Sequence, residues 1–312
     1  MSSIDISVII CTHNRAFMLP DVLRSIEKTE IPESTKIELI VADNASSDNT
    51  FQVITAHARK SRFQVRGLQE PKQGKTYALN AAIKIAAGDL LAFVDDDHII
   101  PNGYFKAIRS AVESYPDFNL FCGRIVPNWD GTEPEWIHDD TRYPIRPFPI
   151  PNFNMGEKVL EVQLNKGMFI PGAGNLVIKK SVFKNIGLFN EEFGPRGHNL
   201  QGGEDLEFIR RALKQGERLM YIPEILQYHQ VDRKNFALSY LVKKAYYRSK
   251  AAYQLNEEIS SGPIPRYLYR MAATNLVKSI FCLQQAARRY YLVKLASFMG
   301  EIQGHRKGHA HG

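Results

Sequence analysis

Cysteine is scarce in this 312-residue chain, and the three present, Cys11, Cys122 and Cys282, are odd in number, far apart and set among apolar neighbours. That excludes a disulfide framework and predicts reduced thiols in a reducing compartment. No run reaches the roughly 18 uncharged apolar residues of a membrane span, so none is expected. The opening residues, MSSIDISVIICTHNR, lack a basic segment followed by a long apolar one, so no signal peptide is expected either, and the reading is a cytoplasmic protein. Two familiar ligand loops are also missing. Gly74-Lys75-Thr76 would end a P-loop, but Gln69 stands where its first glycine is required. The adjacent aspartates at 95–97 lack the alternate spacing, glycine and distant glutamate of a calcium EF-hand.

What is present is an ordinary globular composition, 44% hydrophobic, long enough for one large domain or two small ones. Charge is distributed unevenly. Residues 231–312 hold 14 Lys and Arg against 4 Asp and Glu, a net of +10, which leaves −3 for the first 230 residues. This basic region, interleaved with Tyr246, Tyr247, Tyr290, Tyr291 and Phe298, could meet anionic lipid head groups, nucleic acid or an acidic polymer, although a solvated helical face would look the same. No nucleic-acid recognition module occurs, and no nucleic acid is expected as a partner.

Over the first 125 residues, short apolar runs alternate with helical patterns, the signature of a parallel sheet with crossover helices. Strands are predicted at 6–11, 37–42, 63–68, 90–94 and 120–125, and helices at 20–28, 50–60, 76–87 and 103–115. Polar residues follow three of the strands: Thr12 to Arg15, Asp43 to Asp48, and Asp95 to His98. Ligands of open α/β sheets bind outside the carboxyl ends of strands, so these loops should meet at one crevice. The segment from Pro127 to Phe153 is rich in proline and aromatics and reads as a functional loop. In it Trp129, Trp136 and Tyr143 would either stack on sugar rings or pin the loop to the core. Helices are expected over about 235–256 and 266–300, and the His-containing tail is expected to be disordered.

Asp95-Asp96-Asp97 narrows the chemistry most. Three adjacent carboxylates repel one another, and a cation offsets that cost. Asp43 stands one position past an apolar run, where a carboxylate can accept from a nucleotide base or ribose, while Ser47 or Asp48 can cap the next helix. Lys75 could approach a phosphate, but a solvated lysine at a helix start is the plainer reading. In Gly202-Gly203-Glu204-Asp205 two glycines allow close backbone approach, and two carboxylates then open a helix whose N-terminal dipole favours their ionised forms. Such a carboxylate can act as a general base. His229 alone is ambiguous, and beside a carboxylate site it becomes a credible nitrogen ligand.

The succession SVIICTHNR, IELIVADNASSDNT, QGKTYALNAAIKIAAGDLLAFVDDD, PGAGNLVIKKSVFKNIGLFNEEF, GGEDLEFIRRALKQG and YIPEILQYH resembles the family 2 glycosyltransferases of the GT-A fold over about residues 4–230. The resemblance implies a Rossmann-like, mostly parallel α/β sheet flanked by helices, with the region after 230 as a C-terminal helical extension. Residues 1–125 would form the nucleotide-sugar-binding half and 126–230 the acceptor-binding half. It implies transfer of a sugar from a nucleoside diphosphate donor, usually a UDP-sugar, with inversion. Thr12, Asn14 and Arg15 would border the nucleotide and Asp43 the base. Asp95 would touch the ribose or sugar, Asp97 would ligate Mn²⁺ or Mg²⁺, and Asp96 would help at either. Asp205 would be the base with Glu204 beside it, and His229 the late metal ligand.

The Gln-x-x-Arg-Trp motif of processive members is missing, which implies addition of one sugar to a saccharide or lipid-linked acceptor, as in surface polysaccharide or glycolipid synthesis. The competing readings are a nucleotidyltransferase acting on a sugar phosphate and a non-catalytic glycan- or membrane-surface-binding protein.

Overall fold

The computed structural model describes residues 4–163, 173–196, 200, 202–254 and 263–308. Gly172 of the PGAGNLVIKKSVFKNIGLFNEEF stretch and residues 309–312 of the tail lie outside the described residues. The chain divides into two compact units. The first takes Met1–Asn128, Asn152–Glu192 and Glu204–Gln230; the second takes Trp129–Pro151, Phe193–Gly203 and Val231–Gly312.

The first unit begins β1 (Ile6–Thr12), α1 (Leu19–Lys28), β2 (Ile37–Asn44), α2 (Thr50–Ala58), β3 (Gln64–Glu70), α3 (Lys75–Ile85) and β4 (Leu90–Phe93). β1 and β2 are buried along their whole length, as parallel strands covered on both faces must be. Alternate side chains feed two cores: Ile9 and Cys11 enter one, and Val8 and Ile10 the other. α1 buries Leu19, Val22, Leu23 and Ile26 at helical spacing, with Pro20 in its first turn, where a missing N–H costs nothing.

The unit continues through β5 (His98–Ile99), α4 (Tyr104–Ser114), β6 (Leu120–Asn128), β7 (Leu160–Val162), β8 (Leu176–Lys179), α5 (Val182–Ile186), α6 (Glu204–Lys214) and β9 (Leu219–Gln230). The sheet order is β3-β2-β1-β4-β8-β6-β9-β5, with β7 also on β9. β8 runs antiparallel to both neighbours, and β5 and β7 run antiparallel to β9, so the sheet is mixed, parallel through β3, β2, β1 and β4 and again between β6 and β9. Register brings Thr12 level with Asp43 at the carboxyl ends of β1 and β2, and β4 ends two residues before Asp95.

In the second unit α7 (Leu238–Gln254) is followed by α8 (Arg266–Phe281) and α9 (Gln285–Gly308). The single helix expected over 266–300 is therefore two, because the chain becomes extended at Cys282 (φ −80°, ψ 119°). Within this unit Trp136 and Tyr143 pin the loop to α9, while Trp129 meets His138 of the same loop. Arg289 lies over the Trp136 ring at 4.0 Å, and Tyr143 meets Tyr290 at 5.8 Å between ring centroids.

One buried charge ties the first unit together. Glu38 of β2 is fully buried and accepts from the Ser7 hydroxyl, the Ala87 N–H and the Arg66 guanidinium. Burial alone would raise its pKa, but these donors outweigh it and hold Glu38 below its ordinary value. Its contribution is therefore complete above the unfolded-state pKa and is lost as pH falls through the lower folded value. Glu38→Ala should cost about 3–5 kcal/mol by urea unfolding at pH 7, since it strands Arg66 and two donors. Its deficit relative to the wild type should shrink in acid.

Candidate active site

The loops at the carboxyl ends of β1, β2 and β4 form the site. Asn44 positions one wall: its side chain donates to the Lys72 carbonyl (2.7 Å) and accepts from the Gly74 N–H (2.7 Å). Gly74 there adopts φ 141°, which glycine tolerates, and α3 starts with Lys75 facing the aspartates. Asn14, in the left-handed region at φ 52°, accepts from the Ser47 N–H (2.7 Å), and its own N–H donates to the Ser46 hydroxyl (2.9 Å). It clamps the loop after β2 to the loop after β1. Asp43 is buried and accepts from the Ser46 N–H (3.2 Å), a local turn that leaves its carboxylate further capacity to accept. Asp48 accepts from the Thr50 N–H (3.0 Å) at the start of α2, but the N-cap position itself is taken by Asn49 rather than by Ser47 or Asp48.

The three aspartates have separate surroundings. Asp95 meets the Lys75 ammonium at 2.7 Å; burial would raise its pKa, but Lys75 outweighs it and holds Asp95 well below the usual carboxylate range. Burial pushes Asp96 up to about 6, against the pull of Arg15 and with the push of Asp97. Thr12 is buried beneath it. Asp97 is held below its ordinary value despite burial, chiefly by the cationic forms of His229 and His98 and by Arg15. Arg15 reaches Asp96 at 4.0 Å and Asp97 at 3.5 Å. Gly174 admits this crowding, since a Cβ there would lie 2.7 Å from Asp95 Oδ2 and 2.8 Å from His98 Cε1.

The solvated lysine expected at 75 is not what the structure contains. Lys75 Nζ sits between Asp95 and Glu204 Oε1 (3.8 Å) and feels Asp205 as well, so its pKa is raised well above the ordinary value although burial opposes this. One ammonium thus joins the aspartate triplet to the Glu204-Asp205 pair that opens α6 after Gly203 (φ 107°). Glu204 is buried and Asp205 partly exposed.

Sequence reasoning placed His98 at the end of the third polar loop but gave it no part in a metal site. β5 pairs antiparallel with the end of β9, so that His98 stands directly opposite His229, with ring centroids 4.9 Å apart. Gln227 gives its amide N–H to the Phe93 carbonyl (3.0 Å) and so turns Oε1 to His98 Nδ1 (2.6 Å). His229 Nδ1 donates to the Gln230 carbonyl (2.7 Å). With each Nδ1 carrying the proton, both Nε2 lone pairs face Asp97 Oδ1, at 3.8 Å and 3.6 Å. His98 Nε2 is buried without a hydrogen-bond partner. Burial pushes the His229 pKa down, favouring the neutral ligand form. Two lone pairs and a carboxylate oxygen, all within 4.8 Å of one another, repel unless a cation lies among them, and this mixed nitrogen and oxygen donor set fits a divalent metal ion. The sequence signal was the DDDH run, which becomes visible only with the β5 to β9 pairing.

A sheet of this order, with helices on both faces and acidic loops at its strand ends, is the GT-A fold of nucleotide-sugar transferases. The profile of Glycosyl transferase family 2 matches residues 7–187, and the chain belongs to that family of glycosyltransferases. It is 20% identical over 308 residues to the succinoglycan biosynthesis protein ExoM of Rhizobium meliloti, covering 97% of this chain and 93% of ExoM. It is also 20% identical to the glucosyl-dolichyl phosphate glucuronosyltransferase of Haloferax volcanii, covering 78% and 74%. Among solved structures, S. aureus TarS in complex with UDP-GlcNAc aligns with a TM-score of 0.56 at 16% identity, covering 98% and 92%. The mannosyltransferase PcManGT from Pyrobaculum calidifontis, in complex with GDP-Man and Mn²⁺, aligns with a TM-score of 0.59 at 16% identity, covering 97% and 86%. The two structural likenesses bear on the fold. None of the helices in the described residues is long and apolar enough to cross a membrane.

Proposed function

We propose that this glycosyltransferase moves one sugar from a nucleoside diphosphate sugar, a UDP-sugar by preference, to a hydroxyl of a saccharide or lipid-linked acceptor, with inversion and without processivity. The observation that carries the reading is the pair of acidic sets, Asp95 to Asp97 and Glu204-Asp205, joined by Lys75. Asp43 accepts from the base, while Thr12, Asn14 and Arg15 border the nucleotide. Asp95 faces the ribose or sugar. Asp97, His98 and His229 hold a divalent cation, with Asp96 beside them. That cation, when bound, offsets charge on the diphosphate leaving group. Asp205 takes the acceptor proton in a single in-line displacement, and Glu204 and Lys75 fix its surroundings. The names of the relatives support surface polysaccharide or glycolipid synthesis as the setting, and the basic region 231–312 is the part read as meeting an anionic membrane surface.

A thermal-shift screen of nucleotide-sugars with and without Mn²⁺, followed by assay of released nucleoside diphosphate, tests this. Stabilisation by one donor in the presence of the cation is expected. Failure to bind any nucleotide-sugar would overturn the reading, and pyrophosphate release from a nucleoside triphosphate and a sugar phosphate would favour nucleotidyl transfer. Lys75→Met should shift the acid limb of the transfer pH profile to higher pH, because a carboxylate base that loses its neighbouring cation gives up its proton less readily. An unmoved limb would remove Lys75 from the base's surroundings.

A further inference from the structure

α8 is built inside out at its carboxyl end. Its buried stripe runs Leu268, Ala272, Asn275 and Ser279, so the last two turns present small polar residues inward. Both are satisfied by their own helix, Asn275 donating to the Met271 carbonyl and Ser279 to that of Leu276. The large apolar residues point out. Leu276 and Val277 are about half exposed, Ile280 is 63% and Phe281 76% exposed, and Leu283 in the turn to α9 is fully exposed. Replacing outward apolar residues with polar ones would normally improve a helix in water, so a face of this kind marks a contact.

The charge around that face selects the occupant. Between residues 263 and 300 the chain has six Lys and Arg and neither Asp nor Glu. Arg266, Arg270, Lys278 and Arg288 are exposed on α8 and at the start of α9. A second copy of this chain meeting the same face would set like charge against like, while an anionic lipid surface offers the opposite charge and an apolar layer just below it. α8 is no membrane span, and its 16 residues with one apolar face suit a helix lying in the headgroup layer.

Resting on the reading of the basic region as membrane-facing, we propose that α8 and the α8–α9 turn form a wedge that docks on anionic bilayers. Ile280, Phe281 and Leu283 enter the acyl boundary, and Arg266, Arg270, Lys278 and Arg288 contact lipid phosphates. Lys278 also stands over the Tyr291 ring at 5.3 Å, which places an aromatic at the same rim.

Co-sedimentation of the full chain with vesicles of phosphatidylcholine containing phosphatidylglycerol, at low and high salt, tests the wedge. Wild-type protein should bind, with part of the binding surviving high salt, because the apolar contribution is not screened. The triple variant Ile280→Ser, Phe281→Ser, Leu283→Ser should lose about tenfold or more in partitioning and all of the salt-resistant part, with unchanged thermal unfolding since these side chains are exposed. Phe281→Trp should show blue-shifted emission and quenching by brominated lipid. No wild-type binding even at low salt would overturn the membrane reading itself. Wild-type binding that the triple variant retains in full would overturn the wedge while leaving a purely electrostatic surface. A wild-type dimer by light scattering that the triple variant converts to monomer would assign the face to a second copy instead.

Discussion

Asp205→Asn is expected to lower sugar transfer by about 10²–10⁴-fold while leaving the affinity for the nucleoside diphosphate unchanged. The asparagine keeps the shape of the helix start but cannot take a proton, and an acceptor hydroxyl is a poor nucleophile until its proton has somewhere to go. The neighbouring groups make the test clean. Glu204 is buried and engaged with Lys75, whereas Asp205 is the partly exposed member of the pair and the one an acceptor could reach. Glu204→Gln should therefore act differently, weakening the hold on Lys75 and with it the Asp95 side of the site. Single-turnover assays at saturating donor, with separate calorimetric titration of the nucleoside diphosphate, measure both quantities. Equal loss of donor binding and transfer in Asp205→Asn would remove the base assignment.

Asp97→Ala should weaken Mn²⁺ binding by more than about 100-fold, since it deletes the anionic ligand itself rather than a supporting contact. The loss leaves the His98 and His229 Nε2 atoms as neutral donors with no charge to hold a cation between them. Manganese binding followed by electron paramagnetic resonance, without donor, reads this directly. Asp95→Asn should leave that affinity nearly intact, because Asp95 is paired to Lys75 rather than to the imidazoles. Undiminished Mn²⁺ binding in Asp97→Ala would place the cation elsewhere.

The alternating half of the fold was legible in the sequence because β1, β2 and β4 are buried along their length and so read as near-continuous apolar runs, while the half-exposed edge strand β3 keeps only an alternation. β1, β2, β3 and β4 fall within two residues of their predicted ends, as do α1, α2, α3 and α4. β9 was not read as a strand. Its apolar alternation is broken by Pro223 and exposed Glu224, and its register to β6 shifts between Cys122 and Arg124. β5 has two residues, too few to leave any periodicity. The loss of these two strands concealed His98, whose neighbour across the ladder is 131 positions away in sequence. Lys75 was misread for a similar reason: what holds it inward is Asn44 fixing the loop before α3, a long-range contact with no local signature. The break between α8 and α9 carries neither glycine nor proline, so composition gave no stop signal there. The aspartates themselves were visible because their chemistry lies in adjacency.

The resident cations of the site set how its ligands depend on one another. Among the described residues, five carboxylates, Asp95, Asp96, Asp97, Glu204 and Asp205, share the site with the permanently charged Lys75 and Arg15. With every carboxylate ionised, the balance stays negative, so a diphosphate arriving alone would be repelled and a divalent ion arriving alone would be welcomed. Each ligand then alters the field the other meets. By thermodynamic linkage, whatever factor the cation adds to the donor's affinity, the donor must return to the cation's. Lys75 and Arg15 thus set how much charge a cation has left to offset: five carboxylates against two cations leave three negative charges, and one divalent ion would reduce these to one.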